Sequence, residues 1–275
     1  MSFEVSGARA LADIPCRYRT SRLLVRGPRR SLRDPYVAFL GSSDTYGSFV
    51  MHPFVALAES EIGLTCVNLG CANAGVDALL NDQDVLDIAG AAKLVVLQVS
   101  GAQNMSNALY RVHPRRNDRF LSASPTLRAI YPEVDFMEFH FNKHMLTTLH
   151  DLSADRFRAV RQQIQQAWLA RMRLLLDRIG AQTRLLWVRH DPPETGGAQA
   201  SLGGDPLMIT RSMLEALSEN SGGVIEVSVA AAGQSGDLDG MFFGPLQAPI
   251  AELSLGPQAH EAIADQLVSH LKPIL

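Results

Sequence analysis

Five apolar runs organise the chain into segments of strand length. They span residues 36–40, 64–69, 93–100, 183–189 and 223–229. The first three runs stop at Gly41, Gly70 and Gly101, and glycine commonly marks the turn that follows a strand. Continuous apolar runs, as opposed to alternating ones, are typical of strands covered on both faces of a parallel sheet.

Helical periodicity fills the intervals between these runs. The predicted helices cover an apolar segment over 48–63, a short helix over 82–91 capped by Asn81 or Asp82, residues 153–180, a helix that begins at Asp205-Pro206, and a last helix over about 257–271. Helices that alternate with strands favour a parallel sheet with helices on both faces. The sequence therefore predicts an α/β protein, a three-layer α/β/α sandwich with a five-stranded parallel sheet of the flavodoxin-like type.

Two regions depart from this alternation. Residues 1–35 form an arginine-rich N-terminal arm, whose simplest interpretation is a solvated basic segment. Residues 36–275 form one domain with an insert at about 108–152, and a long insert after a strand is often a substrate-facing lid. The insert carries Arg111, Arg115, Arg116 and Arg119, and the histidines His140, His144 and His150. No HExxH pattern accompanies these histidines, so no metal site is predicted.

Composition excludes several classes of partner. The chain has 275 residues, a net charge of −3, 47% hydrophobic and 19% charged residues, so bulk charge predicts no attraction to nucleic acid or to a membrane surface. Its three cysteines form no CxxC pair. No apolar h-region and no uninterrupted apolar stretch near 18 residues is present, so we expect a cytoplasmic location. No cofactor is predicted.

Polar side chains follow each of the first three predicted strands. They are Ser42, Ser43 and Asp44 after the first, Asn73 and Gly75 after the second, and Gln103 and Asn104 after the third. Because parallel strands end at the same edge of a sheet, we expect these groups to converge there. A hydroxyl at the start of a helix also lies near a partial positive charge that favours its alkoxide.

The first of these turns resembles a known sequence block. Gly41-Ser-Ser-Asp-Thr-Tyr-Gly47 is similar to the Gly-Asp-Ser-x-Thr-x-Gly block of the SGNH/GDSL hydrolase superfamily. Ser43 falls at the position of the nucleophile, and Ser42 replaces the usual aspartate. The chain also resembles some bacterial SGNH-like domains without an assigned function. The resemblance implies an SGNH-type fold.

The next two blocks of that superfamily are matched in part. Asn68-Leu-Gly-Cys-Ala-Asn-Ala-Gly75 resembles the second block, in which a glycine donates its backbone N–H to the oxyanion. Asn73 falls at that glycine, or Gly75 does if the loop shifts. In the third block, Gln103 stands where the oxyanion-binding asparagine is expected, and Asn104 replaces the aspartate that follows.

The last block, Asp-x-x-His, is not matched, because none of the eight histidines has an aspartate three residues before it. Two histidines remain as alternatives for the general base. His260 lies in a segment that resembles the end of this block, and His190 follows the fourth strand. Asp239 or Asp191 would orient the imidazole.

Two functions follow from these residues. The first is an SGNH-type serine esterase or deacetylase that acts on an acylated carbohydrate or similar small ester, with Ser43 as nucleophile. Its partner would be that small-molecule substrate. The alternative is a non-hydrolytic SGNH-like protein that binds, or transfers a group on, a carbohydrate or anionic ligand. In that case the arginines of the insert, including Arg111 and Arg115, would hold the ligand.

Overall fold

A five-stranded parallel sheet forms the centre of the protein in a computed structural model that describes residues 15–190 and 202–275. The strands of the described ranges are β1 (Pro15–Cys16), β2 (Val25–Arg26), β3 (Tyr36–Gly41), β4 (Thr65–Gly70), β5 (Leu94–Gln98), β6 (Tyr110–Val112), β7 (Phe120–Ala123), β8 (Thr183–His190) and β9 (Val224–Val229). The central sheet has the order β4-β3-β5-β8-β9, and all neighbouring strands are parallel. Renumbered along the chain this is the order 2-1-3-4-5 of flavodoxin-like folds, so the predicted fold is confirmed.

Helices cover both faces of this sheet. The described α-helices are α1 (Ser43–Tyr46), α2 (Phe54–Ile62), α3 (Val76–Leu80), α4 (Gln83–Gly90), α5 (Pro125–Ile130), α6 (Asn142–Leu152), α7 (Ala154–Ile179), α8 (Arg211–Glu215), α9 (Ala232–Ser235), α10 (Ala248–Glu252) and α11 (Pro257–Leu271). Four short 3₁₀ turns also lie in the described ranges, at Phe136–Glu138, Ser218–Asn220, Pro245–Gln247 and Lys272–Ile274.

Strand β3 shows why the sheet is buried on both sides. Side chains of a strand alternate between its two faces. Ala38 and Leu40 pack into a core with α3, α4 and α7, whereas Val37 and Phe39 pack into a second core with α2 and α11. All four are fully buried. The continuous apolar run in the sequence therefore reflects a strand whose sheet lies between two layers of helices.

Capping residues determine the ends of the longest helix. The Ser153 hydroxyl accepts a hydrogen bond from the Arg156 N–H at 3.3 Å at the start of α7. Gly180 ends the helix in a left-handed conformation, with φ of 64°. The predicted helix over 153–180 is confirmed.

Two other helix predictions are wrong. The helix expected from residue 48 begins only at Phe54, with Pro53 as its N-cap, because the residue before a proline is disfavoured in helical geometry. No helix begins at Asp205-Pro206. Instead, the Asp205 carbonyl accepts the backbone N–H of His190 at 2.9 Å, and α8 begins later, behind the Thr210 cap.

The described part of the N-terminal arm, residues 15–35, packs against the domain. Strands β1 and β2 pair antiparallel, and Arg26 of β2 is only 3% exposed. Its guanidinium donates to the carbonyls of Tyr46 at 3.2 Å, Val50 at 2.9 Å and Gly47. The interpretation of residues 1–35 as a solvated arm is therefore wrong for Arg26.

The insert forms a folded cap. Strands β6 and β7 pair antiparallel, and the aromatic residues Tyr110, Phe120 and Phe136 join the core beneath α7. Two of its histidines pack edge-on against different rings, His144 on Phe139 and His150 on Phe157. No group of three or more metal-binding side chains occurs in the described ranges. Within the same ranges no helix has the length and apolar character to cross a membrane.

Candidate functional site

Ser43 lies at the carboxyl edge of the sheet, exposed at the start of α1. Its Oγ accepts a hydrogen bond from the backbone N–H of Asn73 at 3.1 Å. The Ser43 hydroxyl also donates to Asn73 Oδ1 at 3.4 Å. The hydroxyl after β3 and an amide from the loop after β4 therefore meet, as the parallel arrangement predicts.

A close backbone approach explains the glycine before this turn. A Cβ atom at Gly41 would lie 2.6 Å from Gln98 Oε1 and closer still to Thr45 Oγ1. Any larger residue would therefore push α1 away from the sheet.

Gln98, the last residue of β5, holds the turn in place. Its Oε1 accepts hydrogen bonds from the Ser42 N–H at 3.0 Å, the Thr45 N–H at 3.3 Å and the Thr45 hydroxyl at 2.6 Å. Its Nε2 donates to Asp44 Oδ2 at 2.9 Å. Gln98 was not predicted as a site residue. In the sequence, Gln98 is marked by a single amide side chain at the end of an otherwise apolar strand.

Asp44 and His190 form an ion pair across the sheet edge. The Nε2 atom of His190, at the end of β8, lies 3.1 Å from Asp44 Oδ2. Each side chain is 19% exposed. From the sequence, Asp44 was expected only to join the polar groups at the sheet edge. In the structure its carboxylate holds the His190 imidazole.

The pair shifts both pKa values. Burial by itself raises the pKa of Asp44, but the hydrogen bond and charge of His190 outweigh it and hold that pKa below its usual value. Burial lowers the pKa of His190, but the hydrogen bond and charge of Asp44 outweigh it and raise that pKa to about 9. His190 is therefore mainly an imidazolium at neutral pH.

These groups line one small polar cavity of about 230 Å³. Of the predicted residues, it brings together Ser42, Ser43, Asp44, Asn73, Gln103, Asn104 and His190. The cavity lies beyond the carboxyl ends of the neighbouring strands β3 and β5. The chain runs from β3 to β4 on one side of this pair and from β5 to β8 on the other side. Ligands of doubly wound folds bind at this switch point.

Gln103 and Asn104 differ in how far their side-chain oxygens are paired. Gln103 is 7% exposed, and its Oε1 is buried without a hydrogen-bond partner within the described part of the chain. Asn104 Oδ1 accepts a long hydrogen bond from Asn142 Nδ2, at 3.4 Å. Buried polar groups rarely stay unpaired, so Gln103 Oε1 is an acceptor in the cavity wall that still lacks a donor.

His260 lies in a different environment from His190. It is 1% exposed, its ring stacks on Phe54 at 5.6 Å between centroids, and its Nδ1 accepts the Phe54 N–H at 3.1 Å. Burial lowers its pKa to about 4, so it stays neutral at physiological pH. Neither His260 nor His190 makes a hydrogen bond to Ser43 among the described residues.

Asp239, one of the two aspartates expected to orient the imidazole, does not lie beside a histidine ring in the described ranges. Asp239 is exposed, and the structure gives it no contact with His260 or His190 in the described ranges. The neighbouring Asp237 is buried and accepts the Gln258 N–H at 2.8 Å at the start of α11. Asp191 lies outside the described residues.

Gly75 and the predicted arginines lie apart from the cavity lining. The Gly75 N–H donates to Asn117 Oδ1 at 2.8 Å, so the Asn73 amide, and not that of Gly75, points to Ser43. Arg111 is exposed on β6, and Arg115 is exposed on the following turn, where it lines a separate cleft.

The fold and this cavity define a doubly wound α/β protein with a polar site at its switch point. By sequence, the chain belongs to the family described as "Domain of unknown function (DUF6473)", which matches residues 1–275. No functionally curated protein matches the chain.

Solved structures give distant similarities. The lipase Lip_vut3 from a goat rumen metagenome has 12% identity and a TM-score of 0.43, over 86% of this chain and 97% of that one. A putative lipolytic protein of the G-D-S-L family from Desulfitobacterium hafniense DCB-2 has 13% identity and a TM-score of 0.41, over 86% and 99%. A catalytic mutant of an acetylxylan esterase from Geobacillus stearothermophilus has 13% identity and a TM-score of 0.43, over 86% and 93%.

Proposed function

We propose that this protein is an SGNH-type serine esterase or deacetylase that acts on an acylated carbohydrate or similar small ester. One observation carries the proposal. The Ser43 hydroxyl accepts an amide hydrogen bond from Asn73 in the same cavity as an aspartate–histidine pair. A nucleophile, a base oriented by a carboxylate and backbone donors are the parts that acyl transfer needs.

His190 is the base in this proposal. Asp44 engages its Nε2 atom, so Nδ1 is the ring atom left to take the Ser43 proton. The serine oxygen bonds to the acyl carbon, and the proton passes from His190 to the departing alcohol. Water then attacks the acyl-enzyme and releases the acid, with the same imidazole as base.

The oxyanion that forms in each step needs hydrogen-bond donors. The Ser43 and Asn73 amides, with the side-chain amide of Gln103 or Asn104, are the candidates in this cavity. Loss of one such donor costs on the order of 10²–10³ in kcat.

The raised pKa of His190 limits the fraction of molecules whose base is neutral, and so limits the rate of hydrolysis, at neutral pH. With a pKa raised to about 9, roughly one molecule in a hundred holds a neutral imidazole at pH 7. We therefore expect slow ester hydrolysis at neutral pH and faster hydrolysis in alkaline buffer.

The test is hydrolysis of p-nitrophenyl acetate by the full chain. Ser43→Ala should abolish the activity above background and labelling by a fluorophosphonate probe. Ser122→Ala, an exposed serine on β7, is the matched control and should retain both. Equal activity of Ser43→Ala and the wild type contradicts the proposal.

The protonated state of His190 also supports a second candidate, a non-hydrolytic protein that binds an anionic ligand. An imidazolium that lines the same cavity as Ser43 and the Asn73 amide would hold a carboxylate or similar anion. The two candidates have opposite pH dependence. Hydrolysis rises as His190 loses its proton near pH 9, whereas anion binding weakens over the same range. Acetate affinity measured between pH 7 and 10 separates them.

A further inference from the structure

A second, larger cleft lies beside the Ser43 cavity. Its volume is about 760 Å³, within the range of small-molecule sites. Basic side chains from two distant parts of the sequence line it, namely Arg17 and Arg22 of the N-terminal arm and His113, Arg115, Arg116 and Arg119 of the insert. We call this the arginine cleft. The arm and the insert, separate in the sequence, therefore form one cationic surface.

The five arginines of this cleft are available to a ligand. All are exposed, and in the described ranges none of their guanidinium groups lies within ion-pair distance of a carboxylate. The nearby carboxyls include Asp82, which accepts the Arg22 backbone N–H at 3.1 Å, and Asp118, whose pKa is raised by burial against the opposing charges of Arg119 and Arg116. The five arginines outnumber these carboxyls, and the excess of positive charge favours a ligand with several negative charges.

Part of the cleft is already ordered for binding. His113 Nδ1 accepts the backbone N–H groups of Arg115 at 3.3 Å and Arg116 at 3.1 Å, which fixes the turn that carries both arginines. The Arg119 guanidinium stacks over the Phe141 ring at 4.8 Å. Arginines held in this way lose less conformational entropy when they bind an anion.

A short chain of hydrogen bonds links this turn to the nucleophile. The fully buried Asn117 donates its backbone N–H to the Asn73 carbonyl at 2.9 Å and its Nδ2 to the His113 carbonyl at 2.8 Å. Asn73 in turn donates to Ser43. Ala72 and Tyr46, which line the cleft, lie on the same loop as Asn73 and on the same helix as Ser43.

We propose that the arginine cleft binds the diphosphate group of a small molecule whose reacting part reaches the Ser43 cavity. A diphosphate carries enough charge and enough acceptor oxygens for several bidentate arginine contacts. The remaining volume, lined in part by Leu23, Leu24 and Tyr46, accommodates an uncharged portion. That this molecule is the ester substrate rests on the function proposed above, whereas the anion site itself does not.

Inorganic pyrophosphate is the probe for the test. Calorimetric titration and thermal unfolding of the full chain should show binding, with a larger rise in midpoint than orthophosphate or NaCl at equal ionic strength. The Arg115→Met/Arg119→Met double variant should bind at least tenfold more weakly and unfold like the wild type without ligand. Arg33→Met, an exposed arginine outside the cleft, is the matched control and should bind normally.

Three outcomes overturn the proposal. They are a pyrophosphate effect no larger than that of NaCl, equal binding of orthophosphate and pyrophosphate, and an equal loss of affinity in Arg33→Met. The Ser43→Ala variant separates this proposal from the esterase proposal, because it should bind pyrophosphate like the wild type. A wild-type protein that binds pyrophosphate but hydrolyses no ester contradicts only the proposed esterase.

Discussion

The Nε2 atom of His190 lies 3.1 Å from Oδ2 of Asp44, the residue directly after Ser43. A contact across 146 positions of sequence thereby joins the first and fourth crossovers of the sheet at one point. The carboxylate keeps the imidazole charged at neutral pH and fixes its orientation toward the cavity.

The pH profile of ester hydrolysis should report this pair. If His190 is the base, kcat/KM on p-nitrophenyl acetate rises about tenfold per pH unit up to its pKa of about 9. Asp44→Asn removes the charge that stabilises the imidazolium, so the rising limb should move to lower pH. Its plateau should also fall, by roughly 10²–10⁴-fold if orientation is lost as well. In Asp239→Asn the rising limb of the pH profile should stay where it is in the wild type. A limb that moves in Asp239→Asn and not in Asp44→Asn would assign the orienting role to Asp239.

Gln98 should matter for stability. Gln98 is only 7% exposed. Gln98→Leu therefore leaves the Ser42 and Thr45 donors without their Oε1 acceptor at a buried position. Unpaired buried groups cost about 1–3 kcal/mol each, and we expect a loss of about 2–4 kcal/mol in the free energy of unfolding, measured by urea denaturation. Gln182→Leu, on an exposed position, should stay within about 0.5 kcal/mol. Equal losses in both variants contradict this account.

His260 should act on stability more than on catalysis. His260→Leu removes the acceptor of the buried Phe54 N–H and should lower the free energy of unfolding by about 1–3 kcal/mol. His270→Leu, exposed on the same helix, is the control. A variant that unfolds like the wild type but loses ester hydrolysis 100-fold or more, as loss of a general base would cause, would identify His260 as the base.

The same residue predicts a pH dependence of stability. The folded pKa of His260 is lowered to about 4 from 6.5, so the unfolded chain binds the proton first as the pH falls. The neutral imidazole therefore supports the fold above pH 6.5, and this contribution is lost between 6.5 and about 4. The loss is on the order of 3 kcal/mol, and the difference between wild type and His260→Leu should shrink over that range.

Asn73 should be replaceable by glycine but not by proline. It has a left-handed backbone, with φ of 60°, which asparagine and glycine adopt readily. Asn73→Gly keeps the N–H aimed at Ser43 and should keep kcat within a few-fold. Asn73→Pro removes this donor and cannot adopt the angle, so kcat should fall by roughly 10²–10³. A glycine variant as inactive as the proline variant would show that the side chain, not the amide, is required.

Much of the architecture follows from local sequence signals. The apolar runs identify the five strands, and Ser153 and Gly180 identify both ends of α7, because capping depends on a few adjacent residues. The parallel arrangement then implies that Ser43 and the loop after β4 meet. The prediction of a helix at Asp205-Pro206 was wrong because the Asp205 backbone pairs with His190. Such a long-range contact leaves no signal in the local sequence.

The partner of the imidazole was missed for a related reason. Ser43 and Asp44 are neighbours in one turn, and sequence alone does not give the direction of either side chain. In the structure they point to different partners, Asn73 and His190. The role of Gln98 was missed because its strand was interpreted as uniformly apolar, although one amide at its end organises the whole turn.

The buried guanidinium of Arg26 has a practical consequence for protein engineering. A shortened version that starts at Tyr36 would retain every strand of the central sheet. It would also strip three main-chain oxygens around the end of α1 of their donor. A deletion that shortens the arm should therefore stop before residue 26, because Arg26 supports the backbone around the helix that carries Ser43.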